Sequence, residues 1–332
     1  INEDGLPDIY VTREGLQKNE TGDGYTDHMR NQLFINQGNF TFEEKGKEYG
    51  LDLLGNTVCS NFFDYDNDGD LDFFAVSHTN FEGNLMDIVF YDHPAADRPN
   101  SNYLLENTGE KFIDVTEDAG IANERCFEHG VTTGDINNDG WVDIYISSDY
   151  FGPDYCYINN GDKTFTNRRK ELFDAASMSA MGTELADINN DGWLDLLVLE
   201  MLGDSHPRQK LNKPPMSPEV YSGLQKKEAP QYIRNTFHLN NGGESFSEIG
   251  MLLGIEATEW SWGGLFADFD NDGWQDLFVS NGIQRDYTNM DYIKKHYGQD
   301  FLADFNPENP LQAPRRNLET LPSIRTPNYA FK

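Results

Sequence analysis

One acidic loop recurs four times along this chain and constrains its fold more than any other feature. The copies are Asp64-Tyr65-Asp66-Asn67-Asp68-Gly69-Asp70-Leu71-Asp72, Asp135-Ile136-Asn137-Asn138-Asp139-Gly140-Trp141-Val142-Asp143, Asp187-Ile188-Asn189-Asn190-Asp191-Gly192-Trp193-Leu194-Asp195 and Asp268-Phe269-Asp270-Asn271-Asp272-Gly273-Trp274-Gln275-Asp276. A fifth copy, lacking its first position, is Asn2-Glu3-Asp4-Gly5-Leu6-Pro7-Asp8. Oxygen-bearing side chains fall at positions 1, 3, 5 and 9, and glycine falls at 6. Side chains at alternate positions of a tight turn converge on one side. The glycine permits a backbone conformation that a β-carbon resists.

That arrangement suits a hard cation. Calcium takes six to eight oxygens at about 2.3–2.6 Å and tolerates irregular geometry, whereas magnesium demands a strict octahedron. Zinc is disfavoured because no Cys or His falls in the loops. The expected side-chain ligands are Asn2, Asp4 and Asp8; Asp64, Asp66, Asp68 and Asp72; Asp135, Asn137, Asp139 and Asp143; Asp187, Asn189, Asp191 and Asp195; and Asp268, Asp270, Asp272 and Asp276. The carbonyl at position 7 (Leu6, Asp70, Trp141, Trp193 or Trp274) is expected to complete each set. A single copy would be an ordinary Asp/Asn/Gly turn. Four in register predict about four to five calcium ions.

An EF-hand opens similarly but closes with Glu at position 12, between helices. Here the closing Asp comes at 9 and an apolar run follows: Ile9–Val11, Phe73–Val76, Ile144–Ile146, Leu196–Leu199 and Leu277–Val279. The loop is therefore a strand-to-strand connection. A second element recurs between the loops: Leu33 to Phe40, Leu104 to Phe112, Cys156 to Phe165 and Phe237 to Phe246. Each is an apolar strand, an Asn-x-Gly turn and an aromatic strand, which describes a β-hairpin. A strand into the ion loop, a strand out and a hairpin pair make four strands per repeat. The expected fold is all-β, a propeller of four-stranded blades with calcium loops between first and second strands.

These motifs resemble the FG-GAP/VCBS repeats of integrin α-subunit propellers and of many secreted bacterial proteins. The segment from Arg234-Asn235-Thr236-Phe237 through Trp260-Ser261-Trp262-Gly263-Gly264 to Asn281-Gly282-Ile283 resembles, more narrowly, the cartilage-acidic-protein-like ASPIC/UnbV propellers. The resemblance implies a seven- or eight-bladed, calcium-bearing extracellular propeller. About four to five blades are present here, so residues 1–332 are expected to be part of a single propeller within a longer protein.

In such blades the ion loops share one face with the hairpin turns. The long insertions, near 13–31, 78–102, 201–234 and 281–327, all fall between second and third strands and decorate the opposite face. Long loops in compact domains are commonly functional or disordered. The 201–234 insertion carries Arg208, Lys210, Lys213, Lys226 and Lys227 among several prolines. The 281–327 insertion predicts a helix near 289–304, with Tyr292, Ile293, Tyr297 and Phe301 at helical spacing. These basic and tyrosine residues are the candidates for contact with a protein or glycan partner; the alternatives are that the basic residues belong to a solvated loop and that the helix simply caps the propeller. Trp260 and Trp262 either stack on sugar rings or pack between blades, the latter being the usual use of such aromatics.

The chain carries 57 acidic and 25 basic residues, a formal charge of −32. That excludes nucleic acid, whose phosphates need a basic footprint, and disfavours anionic membrane surfaces. No transmembrane run is visible, so direct membrane insertion by this segment is not expected. Cys59, Cys126 and Cys156 make no disulfide framework, and Cys59 stands where other repeats have Gly130, Gly182 and Gly263. There is no GxSxG, HExxH, P-loop or Cys-x-x-Cys, and the seven histidines form no ligand spacing. The sequence thus points to a non-enzymatic binding or scaffold module, secreted or on the cell surface. In a Gram-negative bacterium the resemblance allows a surface lipoprotein subunit of an outer-membrane complex. The alternative is a polysaccharide hydrolase or lyase with a carboxylate site on the loop-decorated face.

Overall fold

The computed structural model describes residues 1–2, 4–13, 29–78, 101–121, 127–149, 152–212, 230–286, 289, 291–292, 295 and 321–332. Five antiparallel sheets follow one another along the chain. The first holds β1 (Ile9–Val11), β2 (Gln32–Asn36) and β3 (Phe42–Glu44). The second holds β4 (Thr57–Phe63), β5 (Asp72–Ser77), β6 (Tyr103–Asn107) and β7 (Phe112–Asp114) in that order. The third repeats it with β8 (Phe127–Gly134), β9 (Asp143–Asp149), β10 (Tyr155–Asn159) and β11 (Phe165–Asn167). After a short pair-forming strand, β12 (Ala176–Ser177), the fourth holds β13 (Gly182–Ala186), β14 (Asp195–Leu199), β16 (Thr236–Asn240) and β17 (Phe246–Glu248). β15 (Gln231–Tyr232) pairs in parallel with β12. The fifth sheet holds β18 (Ser261–Ala267), β19 (Asp276–Asn281) and β20 (Tyr329–Phe331). Helices are short: α1 (Gly46–Tyr49), α2 (Arg169–Leu172), α3 (His206–Asn212) and α4 (Gly250–Leu253). The sheets group into two compact units, the first three in one and the last two in the other.

In the second, third and fourth blades the second strand is the core, as its apolar run requires. All six residues of β5, all seven of β9 and all five of β14 are buried. Strand side chains alternate in direction, so one strand serves two interfaces. Phe73 and Ala75 join Leu33, Ile35 and Leu51 of the first blade, while Phe74 and Val76 join Ile144, Ile146 and Tyr157 of the third. In the second unit Leu197, Leu199 and Phe237 meet Leu277 and Val279 in the same way. Each such Phe or Leu contributes about 1.5–3 kcal/mol of burial free energy. The small residue in the first strand has a steric cause. A β-carbon on Gly182 would lie 2.4 Å from the Trp262 carbonyl oxygen of the next blade. At the equivalent place Cys59 is half-buried, with its thiol 3.5 Å from the His129 carbonyl. Cys59 and Cys156 are free thiols, and Cys126 lies outside the described residues.

Within each blade the ion loop and the hairpin turn emerge at one end, and the crossing from second to third strand emerges at the other. Most of the 13–31, 78–102 and 281–327 insertions lies outside the described residues. The 201–234 insertion contributes α3 and β15. Among the described residues, no helix is long and apolar enough to cross a membrane.

Candidate metal centres

The loops are built by one repeated hydrogen-bond scheme. The closing aspartate, at the first residue of each second strand, is buried: Asp72 is 1% exposed, Asp143 0% and Asp195 1%. One carboxylate oxygen accepts the backbone N–H at loop position 2, from Tyr65 (3.0 Å), Ile136 (2.8 Å), Ile188 (3.2 Å) and Phe269 (3.0 Å). The nitrogen of Ile1 bonds Asp8 likewise, at 3.0 Å. The other oxygen accepts the backbone N–H of the hairpin asparagine, Asn36, Asn107, Asn159 or Asn240, at 2.8 Å in every case. That asparagine closes the unit. Its amide donates to the carbonyl at loop position 8, on Pro7, Leu71, Val142 or Leu194. Its side-chain oxygen accepts from the turn glycine, Gly38, Gly109, Gly161 or Gly243. The sequence marked these asparagines only as turn formers; their recurrence in every hairpin was the signal of a second duty.

The rest of each loop is wound on Asx bonds. The position-1 carboxylate accepts from the position-6 glycine: Gly69 to Asp64 (3.0 Å), Gly140 to Asp135, Gly192 to Asp187 and Gly273 to Asp268 (2.8 Å each). Those glycines have φ between 87° and 97°, which excludes a β-carbon at little strain. The position-5 carboxylate accepts from the residue-7 N–H in all five copies, on Leu6, Asp70, Trp141, Trp193 and Trp274. Trp141 packs on the turn glycine Gly161 and Trp193 lies beside Gly242, whereas Trp274 is 54% exposed.

The donor set fits a hard cation. Carboxylate oxygens of Asp64, Asp66 and Asp72 lie within 4.8 Å of one another, as do those of Asp268, Asp270 and Asp276. In the other two complete loops an amide stands at position 3, and Asn137 and Asn189 donate to Asp139 and Asp191. The Asp64 loop differs in one bond. Elsewhere the position-5 N–H bonds the position-1 carboxylate, at 2.9–3.1 Å. Here the Asp68 N–H turns to Asp66, and Asp64 Oδ1 is left buried without a hydrogen-bond partner. A buried carboxylate oxygen with no donor is costly unless a cation meets it. Burial raises the carboxyls of Asp72 and Asp143 to about 7, against the two N–H bonds each accepts, with neighbouring loop carboxylates pushing the same way. Asp195 is raised for the same first reason. A carboxylate strained in this way gains from an adjacent divalent charge.

The candidate partner residues fall differently. Arg208, in α3, lies 3.0 Å from Glu259 and 3.2 Å from Asp286, both nearly fully buried, so its charge is turned inward. Lys210, on the same helix, is exposed. The Tyr292 backbone N–H bonds Asn289 at 3.1 Å in a helical stretch. Lys213, Lys226, Lys227, Tyr297 and most of the predicted 289–304 helix lie outside the described residues. Trp260 and Trp262 are neighbours with ring centroids 6.2 Å apart, and the Trp262 indole donates to the Gly282 carbonyl at 2.7 Å.

Blades of antiparallel strands, joined first to second by a carboxylate loop, define a β-propeller repeat protein. The FG-GAP-like repeat family matches residues 1–75, 135–198 and 218–279, more than half of the chain. The chain belongs to that family. Integrin alpha-3 of Mus musculus is 31% identical over 83 residues, covering 22% of this chain and 8% of its own length. Cartilage acidic protein 1 of Homo sapiens is 25% identical over 185 residues, covering 54% of this chain and 24% of its own length. The chain thus spans a quarter or less of these relatives. Among solved structures, the biofilm matrix protein Bap1 of V. cholerae is similar at a TM-score of 0.35 and 12% identity, over 82% of this chain and 34% of that one. That likeness is too distant to add to the fold.

Proposed function

We propose that this chain is part of a calcium-stabilised propeller, secreted or on the cell surface, that binds a protein or glycan partner and has no enzymatic activity. The observation that carries the metal reading is the loop scheme itself. Four complete copies place an oxygen-bearing side chain at each of positions 1, 3, 5 and 9, and in the Asp64 loop a buried carboxylate oxygen has no hydrogen-bond partner. Calcium, when bound, supplies positive charge to the carboxylates that converge in a loop. The chain's residues fix the cage: position 9 through two backbone N–H groups, and position 1 through the glycine. The ion's contribution is to folding, since whatever binds only the folded state stabilises it.

Partner contact is proposed for the end of the blades opposite the acidic loops, where the crossings from second to third strand emerge. The polysaccharide-enzyme alternative would need a raised carboxylate in a cleft outside the loops. Glu184, half-buried on β13, is raised by burial and is where that reading would rest. Asp154 is raised too, but it is enclosed and accepts bonds from Tyr145 and Ser148.

The test is thermal unfolding with excess calcium, with magnesium and with chelator, alongside metal analysis. A calcium-specific rise in melting temperature with about one ion per complete loop is expected. No bound metal and no shift would reduce the loops to polar turns.

A further inference from the structure

The four complete loops differ at position 3. Two carry a carboxylate, Asp66 and Asp270, and two carry an amide, Asn137 and Asn189. Each carboxylate version has an ammonium on it. Lys163 Nζ lies 2.7 Å from Asp66 Oδ2. Lys332 Nζ pairs with Asp270 and lies 3.1 Å from Asp272 Oδ2. The amide loops have no such charge to match. The extra negative charge of Asp at position 3 is therefore met from inside the protein.

Lys163 is placed for this by the neighbouring blade. It sits in the β10–β11 turn with φ 70°. Its ammonium also lies 3.0 Å from Glu106 Oε1, and Glu106 is held by the Tyr65 hydroxyl at 2.9 Å. The Asp66 side chain is 1% exposed, while that of Lys163 is 54% exposed. A half-exposed lysine thus pairs with a carboxylate that is almost sealed from water.

We propose that Lys163 is a tethered cation that sets the calcium affinity of the Asp64–Asp72 loop. Ammonium and ion are alternative partners of Asp66, and calcium entry moves Lys163 onto Glu106 alone. This rests on the calcium reading above. It makes the Asp64 loop weaker and more exchangeable than its five acidic residues suggest. It also links ion binding in the second blade to the hairpin turn of the third.

Calcium titration calorimetry on the full chain tests this, with Lys163→Gln, Lys163→Arg, Asp66→Asn and the Lys163→Gln/Asp66→Asn double variant. Removing a like charge so close to a divalent ion tightens one site by about tenfold. That gain is expected in Lys163→Gln, not in Lys163→Arg, and is expected to shrink when Asp66 is already Asn. Asp64→Asn added to Lys163→Gln should remove the tightened site and so assign it. Calcium binding that Lys163→Gln leaves unchanged or weakens overturns the tethered-cation proposal alone. No calcium binding by wild type and variants alike overturns the calcium reading, and this proposal with it.

Discussion

The Asn67 side chain of one ion loop donates a 3.0 Å hydrogen bond to the backbone carbonyl of Gly140 in the next. Asn190 repeats it on Gly273 at 2.9 Å. Both donors stand at loop position 4 in the left-handed region, with φ 58° and 57°. Asparagine tolerates that conformation, and there its amide reaches the following blade. Adjacent loops are thereby tied at the glycine that shapes each cage.

Replacing Asn67 separates the bond from the turn. Asn67→Gly keeps the left-handed turn and loses the bond, and stability should fall by about 0.5–1.5 kcal/mol. Asn67→Ala should fall by about 1 kcal/mol more, because its β-carbon resists the conformation without local compensation. Urea unfolding in excess calcium ranks the three. Gly and wild type of equal stability would show that the cross-loop bond contributes nothing.

Asp143 holds two backbone donors at 0% exposure. Asp143→Ala strands the N–H groups of Ile136 and Asn159, each at about 1–3 kcal/mol. Asp143→Asn keeps one acceptor oxygen and should fall between alanine and wild type. Thermal unfolding in chelator measures this without the ion's contribution. An alanine variant as stable as wild type would mean that water reaches the site.

Burial lifts Asp72 and Asp143 from 3.8 to about 7. A carboxyl raised by folding stabilises the fold while it is protonated, fully so below its unfolded value, and that stability is lost as pH rises through about 7. In chelator the melting temperature should therefore fall as pH rises from about 4 to about 7. Calcium binds the charged form, so the gap between calcium and chelator curves should widen across the same window. Parallel curves would show that these carboxyls do not take part in binding.

Arg208 is expected to act on stability rather than on capture of a partner. Arg208→Gln leaves Glu259 and Asp286 facing each other's charge, both nearly fully buried. Breaking such a pair costs about 3–5 kcal/mol. Hydrogen exchange should show the loss in the unit that contains α3 and spare the first three blades. Protection unchanged throughout would mean that water already screens the network.

The acidic loops, the apolar strands after them and the hairpins were legible in the sequence because each is local. Nine consecutive residues carry the oxygens and the glycine, and strand alternation states which residues turn inward. The blade repeat followed from these pieces alone. Other relationships needed the chain brought together. Lys163 meets Glu106 across 57 residues, Arg208 meets Asp286 across 78 and Asn67 meets Gly140 across 73. A charged or amide side chain shows its chemistry in sequence but not its partner. For that reason Arg208 read as a candidate docking charge and the hairpin asparagines as turn formers. Only packing one blade against the next determined which carboxylate each met, and whether water was left between them.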